Sequence, residues 1–464
     1  MMKKWIALLC AALMTCMPIF AQAEPVGDID WDARYRYAEL EDQLEEIASA
    51  YPQIAQLYPI GSTYQERTLW CMELTNQQIP AEGKTGIAVF GNIHGGERES
   101  AACAMYFAWW MATQSGTQRV QDILDKYVVY VVPVINPDGY EQSFVYNTRP
   151  NLRPKDANGD GTPFSDPYTD IDGDGYIATL YRGTAEAQPD RRGSLAFGME
   201  SPDWDGNGIL GDDPRTSGID LNRTFDYQWN RYDIETAQDA VIGSNSWAQA
   251  GSAPASEPEI KAVQNFLLSH EIDALATLHT GIQCVLYPWC YRPYDENLDS
   301  DDILFMKDVA ADMAAAYQET TGRGFYTKSS YEDYPTSAEM IDYAYGRLNI
   351  HAYTIEVYNG GKSQSGDIAE CKWENTLPEE KWVFYDQEQL AEMGLDVANL
   401  KDSTGAGLAE GEGLWFYTSA TAQMVDKAPE NQTLMAEGCR DALLVMIDSE
   451  PSGAGYTKPD YLNW

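Results

Sequence analysis

Four histidines occur in the 464-residue chain, His94, His270, His279 and His351, and two of them stand where chemistry is possible. His94 follows the short apolar run Ile87–Phe90. Glu97 comes three residues later, across Gly95 and Gly96, before apolar helical spacing resumes at Ala101. An imidazole nitrogen and a carboxylate oxygen on such a strand-to-helix turn are donors that Zn²⁺ takes in tetrahedral sites. His279 closes a second apolar run, Asp273–Leu278. Both histidines thus sit just past strand ends, where α/β sheets place ligand sites. His270 and His351 precede strands and read as loop or core histidines. Three protein donors, His94, Glu97 and His279, leave a fourth position open, the arrangement of a catalytic rather than a structural zinc site. Glu356 lies within the apolar run Ala352–Val357. A carboxylate there is costly unless it is paired or functional.

These residues need a sheet to bring them together. Ile87–Phe90, Tyr127–Ile135, Asp273–Leu278 and Ala352–Val357 read as strands. The nearly continuous β-branched run Tyr127–Ile135 predicts a fully buried parallel strand that ends in an Asn136-Pro137-Asp138-Gly139 turn. Ile60–Leu74 reads as two strands around Gly61-Ser62-Thr63. Apolar spacing predicts helices over Tyr37–Ala50, about Ser100–Met111, Ile303–Tyr317 and about Gln432–Ile447. Ser256-Glu257-Pro258-Glu259 predicts a capping box opening another, to about Leu268. The strand–helix–strand rhythm predicts an α/β protein.

Residues 1–23 have the form of a secretory signal peptide. Lys3 and Lys4 precede an apolar run to Phe20, and Ala21-Gln22-Ala23 offers a cleavage site. Export follows, to the extracellular space or a periplasm. No later stretch predicts a membrane span. The formal net charge of −41 disfavours nucleic acid and anionic membranes as partners. Cys71, Cys103, Cys284, Cys290, Cys371 and Cys439 follow the signal. In an exported chain they permit disulfides, and equally buried thiols. The oligomeric state is not legible.

Residues 150–215 differ in composition and read as an Asp/Gly-rich loop insertion. Three loops repeat one spacing: Asp156, Asn158 and Asp160; Asp170, Asp172 and Asp174; Asp203, Asp205 and Asn207, each followed by Gly. Oxygen side chains at positions 1, 3 and 5 with Gly at 6 are the first half of a calcium loop. Position 12 is Pro167, Tyr181 or Pro214 rather than Glu, so these are not EF-hands. The expectation is structural Ca²⁺ that orders the insertion.

With these residues in hand, the chain resembles a zinc metallocarboxypeptidase of the carboxypeptidase A/B type. His94-x-x-Glu97, Asn136-Pro-Asp-Gly139, Asn222-Arg223, His279 and Thr354-Ile-Glu356 occur in the family's order. The resemblance implies a mixed, largely parallel twisted sheet flanked by helices, and a catalytic domain over 24–450, with the insertion inside it and 451–464 as a tail. It implies His94, Glu97 and His279 as ligands of one Zn²⁺, and Glu356 as the general base and acid. Asn222 and Arg223 would hold the terminal carboxylate of a peptide, a task suited to the planar guanidinium. Arg149 would steady the oxyanion, with Arg153 near enough to compete for that assignment. Tyr334 would close over the substrate. Ile341 would lie at the pocket floor and favour apolar or aromatic C-terminal residues. Gly96 and Tyr146 stand where arginines are often found in the family. Two other readings stay open: a cell-wall peptide carboxypeptidase of the same family, and a non-catalytic, calcium-stiffened binding module.

Overall fold

The structure, a computed structural model, describes residues 26, 29–146, 148–191, 193–212, 218–229, 250–357, 379–419, 422 and 431–449. The signal segment 1–23, Cys371, the turn after Val357 and the tail 451–464 lie outside the described residues. Eight strands form the main sheet: β1 (Ala55–Ser62), β2 (Thr68–Leu74), β3 (Thr85–Gly91), β4 (Tyr127–Val132), β7 (Ile272–His279), β8 (Cys284–Tyr287), β9 (Tyr326–Ser329) and β10 (His351–Glu356). Their order is β1-β2-β4-β3-β7-β10-β8-β9. The central four, β4, β3, β7 and β10, run parallel, and antiparallel pairings flank them. The expected mixed, largely parallel sheet is what folds.

The central strands are apolar on both faces because helices cover both. Along β3, Ile87 and Val89 point into one core with the helices Tyr37–Ala50, Arg98–Thr113, Asp301–Thr321 and Gln432–Asp448. Ala88 and Phe90 point into the other, with the helices Pro258–Ser269 and Met340–Leu348. This period-2 alternation into two cores is what a buried parallel strand requires. No helix among the described residues is long and apolar enough to cross a membrane.

Two local expectations change. The strand from Tyr127 ends at Val132, and Asn136-Pro-Asp-Gly139 opens the short helix Pro137–Gln142, with the Asn136 side chain accepting from the Gly139 amide at 2.9 Å. Ser256 does not cap the helix Pro258–Ser269. Glu257 occupies the N-cap without a side-chain cap bond, and Ser256 Oγ donates to Glu257 Oε1 instead. The five described cysteines are buried free thiols.

The insertion is more than loops. It supplies β5 (Thr179–Gly183) and β6 (Gly198–Met199), which join β11 (Lys381–Tyr385) and β12 (Gly413–Thr418) in a second sheet of order β11-β12-β5-β6. This sheet has its own core, including Leu180, Phe197, Leu210, Leu400 and Phe416. In each Asp-rich loop the position-6 glycine amide donates to the position-1 carboxylate: Gly161 to Asp156, Gly175 to Asp170 and Gly208 to Asp203. Glu200 closes the second loop by accepting from the Ile171, Asp172 and Ala178 amides.

Candidate active site

The parallel strands deliver the site residues to one sheet edge. β3 continues to one side of itself, into β4, while β7 lies on its other side. The carboxyl ends of β3 and β7 therefore border a crevice at a change of strand order, where open α/β sheets bind ligands. His94 lies just beyond β3, and His279 is the last residue of β7. Glu356 ends β10 directly beside His279 in register.

The turn after β3 is held from several directions. Asn92, with φ of 50°, donates its side-chain amide to the carbonyls of His94, Gly95 and Glu97. The Gly95 amide donates to the Arg149 carbonyl at 3.2 Å, and Gly96 to that of Thr148 at 2.6 Å. Gly95 packs on Gly139 so closely that a Cβ would fall 2.4 Å from the Gly139 carbonyl oxygen. Any side chain there would move His94, Glu97 and Arg149 together.

Among the described residues, His94, Glu97 and His279 form a cluster whose donor atoms lie within 4.8 Å of one another. His94 Nδ1 is 2.8 Å from Glu97 Oε1, and His279 Nδ1 is 3.1 Å from Glu97 Oε2 and 3.2 Å from His94 Nδ1. The far nitrogens are backed: His94 Nε2 by Asp220 Oδ1 at 3.1 Å, and His279 Nε2 by Thr277 Oγ1 at 3.2 Å. Because the Asp220 carboxylate can only accept, it fixes the proton of His94 on Nε2 and leaves Nδ1 as a donor lone pair. Backing a metal-binding histidine with a carboxylate orients the ring and raises its basicity. Two inward imidazole nitrogens facing one carboxylate suit a divalent cation, and the donor set fits Zn²⁺.

Asp220 carries more of the site than its place in Asp220-Leu221-Asn222-Arg223 suggested. It is fully buried, and its Oδ2 accepts from Arg149 Nε at 2.7 Å. Burial alone would raise its pKa, but the Arg149 and Arg223 guanidiniums and His94 hold it well below the usual carboxylate range. His94 is shifted upward. Burial and Arg149 pull it down, and the Glu97 and Asp220 carboxylates outweigh them. The Asn222-Arg223 pair alone gives Asp220 no role. The signal available was an acid two residues before the Asn-Arg pair.

Glu356 Oε2 is buried with no hydrogen-bond partner and lies 3.5 Å from where a Gly281 Cβ would stand. Burial pushes its pKa up to about 8, with Glu97 and Asp333 adding and His279 and Arg149 opposing. It lines, with the three cluster residues, a cleft of about 170 Å³ that also receives Arg149, Asn222, Arg223 and Tyr334. Arg223 Nη2 donates to Tyr334 Oη at 3.0 Å. Arg149, not Arg153, reaches this cleft. Arg153 pairs with Glu257 at 3.2 Å and lines a separate cavity of about 140 Å³ beside the insertion.

Ile341 does not take the pocket-floor place expected of it. It is fully buried in the second core with Leu221, Phe225 and Ile350 and is not among the cleft-lining residues. The helix from Met340 turns that side chain inward, and the preference for apolar residues loses its basis. Glu339, two residues earlier, lines the cleft instead. In the insertion, the acids of one Asp-rich loop, Asp170, Asp172 and Asp174, converge. Lys381 Nζ lies 2.6 Å from Asp174, and the Tyr385 hydroxyl donates to Asp172.

Comparison with known proteins agrees with this geometry. A family model described as zinc carboxypeptidase matches residues 40–378. Human mast cell carboxypeptidase A is 24% identical over 321 residues, covering 68% of this chain and 61% of that protein. The rat mast cell carboxypeptidase A is 26% identical over 339 residues, covering 71% of this chain and 66% of the relative. The chain thus spans less than two thirds of the length of these relatives. The solved carboxypeptidase A of Helicoverpa armigera aligns with a TM-score of 0.55 at 15% identity, over 92% of this chain and 76% of that one. At that identity the likeness speaks for the fold.

Proposed function

The chain belongs to the zinc carboxypeptidase family, and on that premise we propose that it removes the C-terminal residue of peptides. The observation that carries this reading is one cleft lined by two inward imidazole nitrogens, a carboxylate and Glu356 with its unpartnered oxygen, and lined also by Asn222 and Arg223. His94, Glu97 and His279 would hold the metal. Zinc, when bound, would polarise a scissile carbonyl and lower the pKa of water.

The chain's own groups do the rest. Glu356 takes a proton from the attacking water and returns it to the leaving amine. Arg149, steered by Asp220, meets the negative charge that develops on the carbonyl oxygen. Arg223 and Asn222 grip the terminal carboxylate and so restrict cleavage to the last residue. Tyr334, 41% exposed and bonded to Arg223, is placed to cover the substrate.

The test is release of the C-terminal residue from a blocked dipeptide panel ending in Phe, Leu, Lys, Arg or Glu, together with the zinc content of the purified protein. Release should fall at least tenfold with 1,10-phenanthroline and return on adding Zn²⁺. Protein without zinc that releases nothing would favour a non-catalytic module. Zinc-loaded protein that releases nothing from ordinary peptides would move the substrate to cell-wall peptides.

Export through residues 1–23 and Ca²⁺ in the Asp-rich loops belong to the same reading. For Ca²⁺, the motivation is the converging Asp170, Asp172 and Asp174. Calcium at 1 mM is expected to raise the melting temperature by several degrees over chelated protein. An unchanged melting curve would leave these loops as amide-closed turns, the Asp170–Asp174 one held by Lys381. For export, N-terminal sequencing of protein recovered outside the cytoplasm should begin at Glu24; an intact Met1 start would remove the signal.

A further inference from the structure

Glu339 is a carboxylate of the cleft that the proposed chemistry leaves unused. It is 7% exposed and lines the cleft beside the two groups assigned to the substrate's carboxylate. It sits at the N-cap of the helix Met340–Leu348 yet makes no side-chain cap bond. Its carboxylate turns away from the helix end. Oε1 accepts from Arg223 Nη1 at 3.0 Å and from the Thr336 hydroxyl. Oε2 accepts from Asn222 Nδ2 at 3.4 Å and from Cys290 Sγ at 3.5 Å.

The anchor for a terminal carboxylate is therefore already paired with a carboxylate of the chain. An arriving substrate brings a second negative charge to the same guanidinium, in a cleft that Glu356 and Asp333 also line. If Arg223 turns to the substrate, Glu339 is left as a nearly buried anion without its cation, which is strongly unfavourable. A substrate corrects the imbalance when its terminal residue carries its own cation. That side chain leaves the same Cα as the terminal carboxylate, so it enters the pocket next to Glu339. Ile282 and Leu286 on the cleft wall can receive its methylene stem. An apolar terminal side chain supplies no replacement.

Resting on the carboxypeptidase reading above, we propose that Glu339 is a specificity-determining counter-ion that makes this pocket select C-terminal residues with an ammonium or guanidinium side chain. On binding, Arg223 passes from Glu339 to the substrate's carboxylate, and Glu339 passes to the substrate's cation.

The test compares kcat and KM for blocked dipeptides ending in Lys, Arg, Phe and Leu, on the wild type and on Glu339→Gln, which keeps the shape and drops the charge. The wild type should favour Lys and Arg by at least tenfold in kcat/KM. In the variant the Lys and Arg values should fall, mainly through KM, while the Phe and Leu values rise, so that the ratio shifts by roughly 100-fold or more, the size expected when one partner of a close buried charge pair is lost. A second measurement needs no variant: as reaction products, free arginine and lysine should inhibit the wild type at concentrations at least tenfold lower than free phenylalanine. A wild type that favours Phe or Leu, or a variant that loses all four activities by one factor, overturns the role of Glu339 and leaves the carboxypeptidase reading intact. Release of none of the four residues by zinc-loaded wild type overturns both.

Discussion

Glu356→Gln is expected to lower kcat by roughly 10³-fold while the protein keeps its zinc and its substrate KM, because general acid–base groups contribute ~10²–10⁴. Glutamine preserves the size of the side chain and its position at the end of β10, beside His279. It removes only the ability to take a proton. The wild-type carboxylate lines the cleft and has a buried oxygen without a hydrogen-bond partner, so nothing in the chain competes for that lone pair. The same group fixes the acid side of the pH profile. With burial holding its pKa near 8 in the chain alone, and a nearby dication acting to lower it, activity should rise with pH through a limb that lies below 8. The sign follows from the role: a base works deprotonated, so protonation as pH falls removes activity. The measurement is kcat against pH for both proteins, with zinc content determined on each. A variant with wild-type kcat, or a wild type whose activity grows as pH falls below 6, would show that Glu356 is not the base.

The contrast between what sequence showed and what it hid is physical. His94, Glu97, His279 and Glu356 were legible because strand ends are marked by apolar runs, and a polar residue at such an end has few structural reasons to be there. Asp220 was not, because a carboxylate that acts through His94 and Arg149 is identified only by what it touches across the fold. Ile341 was misplaced for a related reason. Near a helix start, one or two residues change which face a side chain takes: Glu339 at the N-cap faces the cleft, and Ile341 in the first turn faces the core. The second sheet was hidden as well. β5 and β6 are short and lie among glycine and aspartate turns; β6 pairs with β5, and β5 finds its other partner more than 200 residues later in β12. Local patterning carries little of such a non-local pairing.

Asp220→Asn is expected to damage two functions with one atom. Asp220 Oδ1 accepts from His94 Nε2 and from the Asn222 amide, and Oδ2 accepts from Arg149 Nε. Asparagine must turn an NH₂ toward one side. If it faces His94, two donors meet, the ring loses its fixed tautomer, and Nδ1 no longer points a lone pair toward the metal position. Removing such an outer partner of a metal-binding histidine typically costs ~10–100-fold in metal affinity or activity. If it faces Arg149, the guanidinium loses its anchor and drifts from the oxyanion position, where one donor is worth ~10²–10³ in kcat. The loss of charge also leaves Arg149 and Arg223 with less compensation in a buried cluster, so the two effects should appear together. We expect zinc to bind more weakly by ten- to 100-fold and kcat at saturating zinc to fall by roughly a further 10²-fold. Zinc titration by competition with a chromophoric chelator separates the first effect, and kinetics at saturating zinc reads the second. A circular dichroism melt confirms that the sheet persists. Wild-type zinc affinity together with wild-type kcat would reduce Asp220 to a packing residue, and the orientation of His94 would then have to come from the Asn92 side chain and the Gly95–Gly139 contact alone.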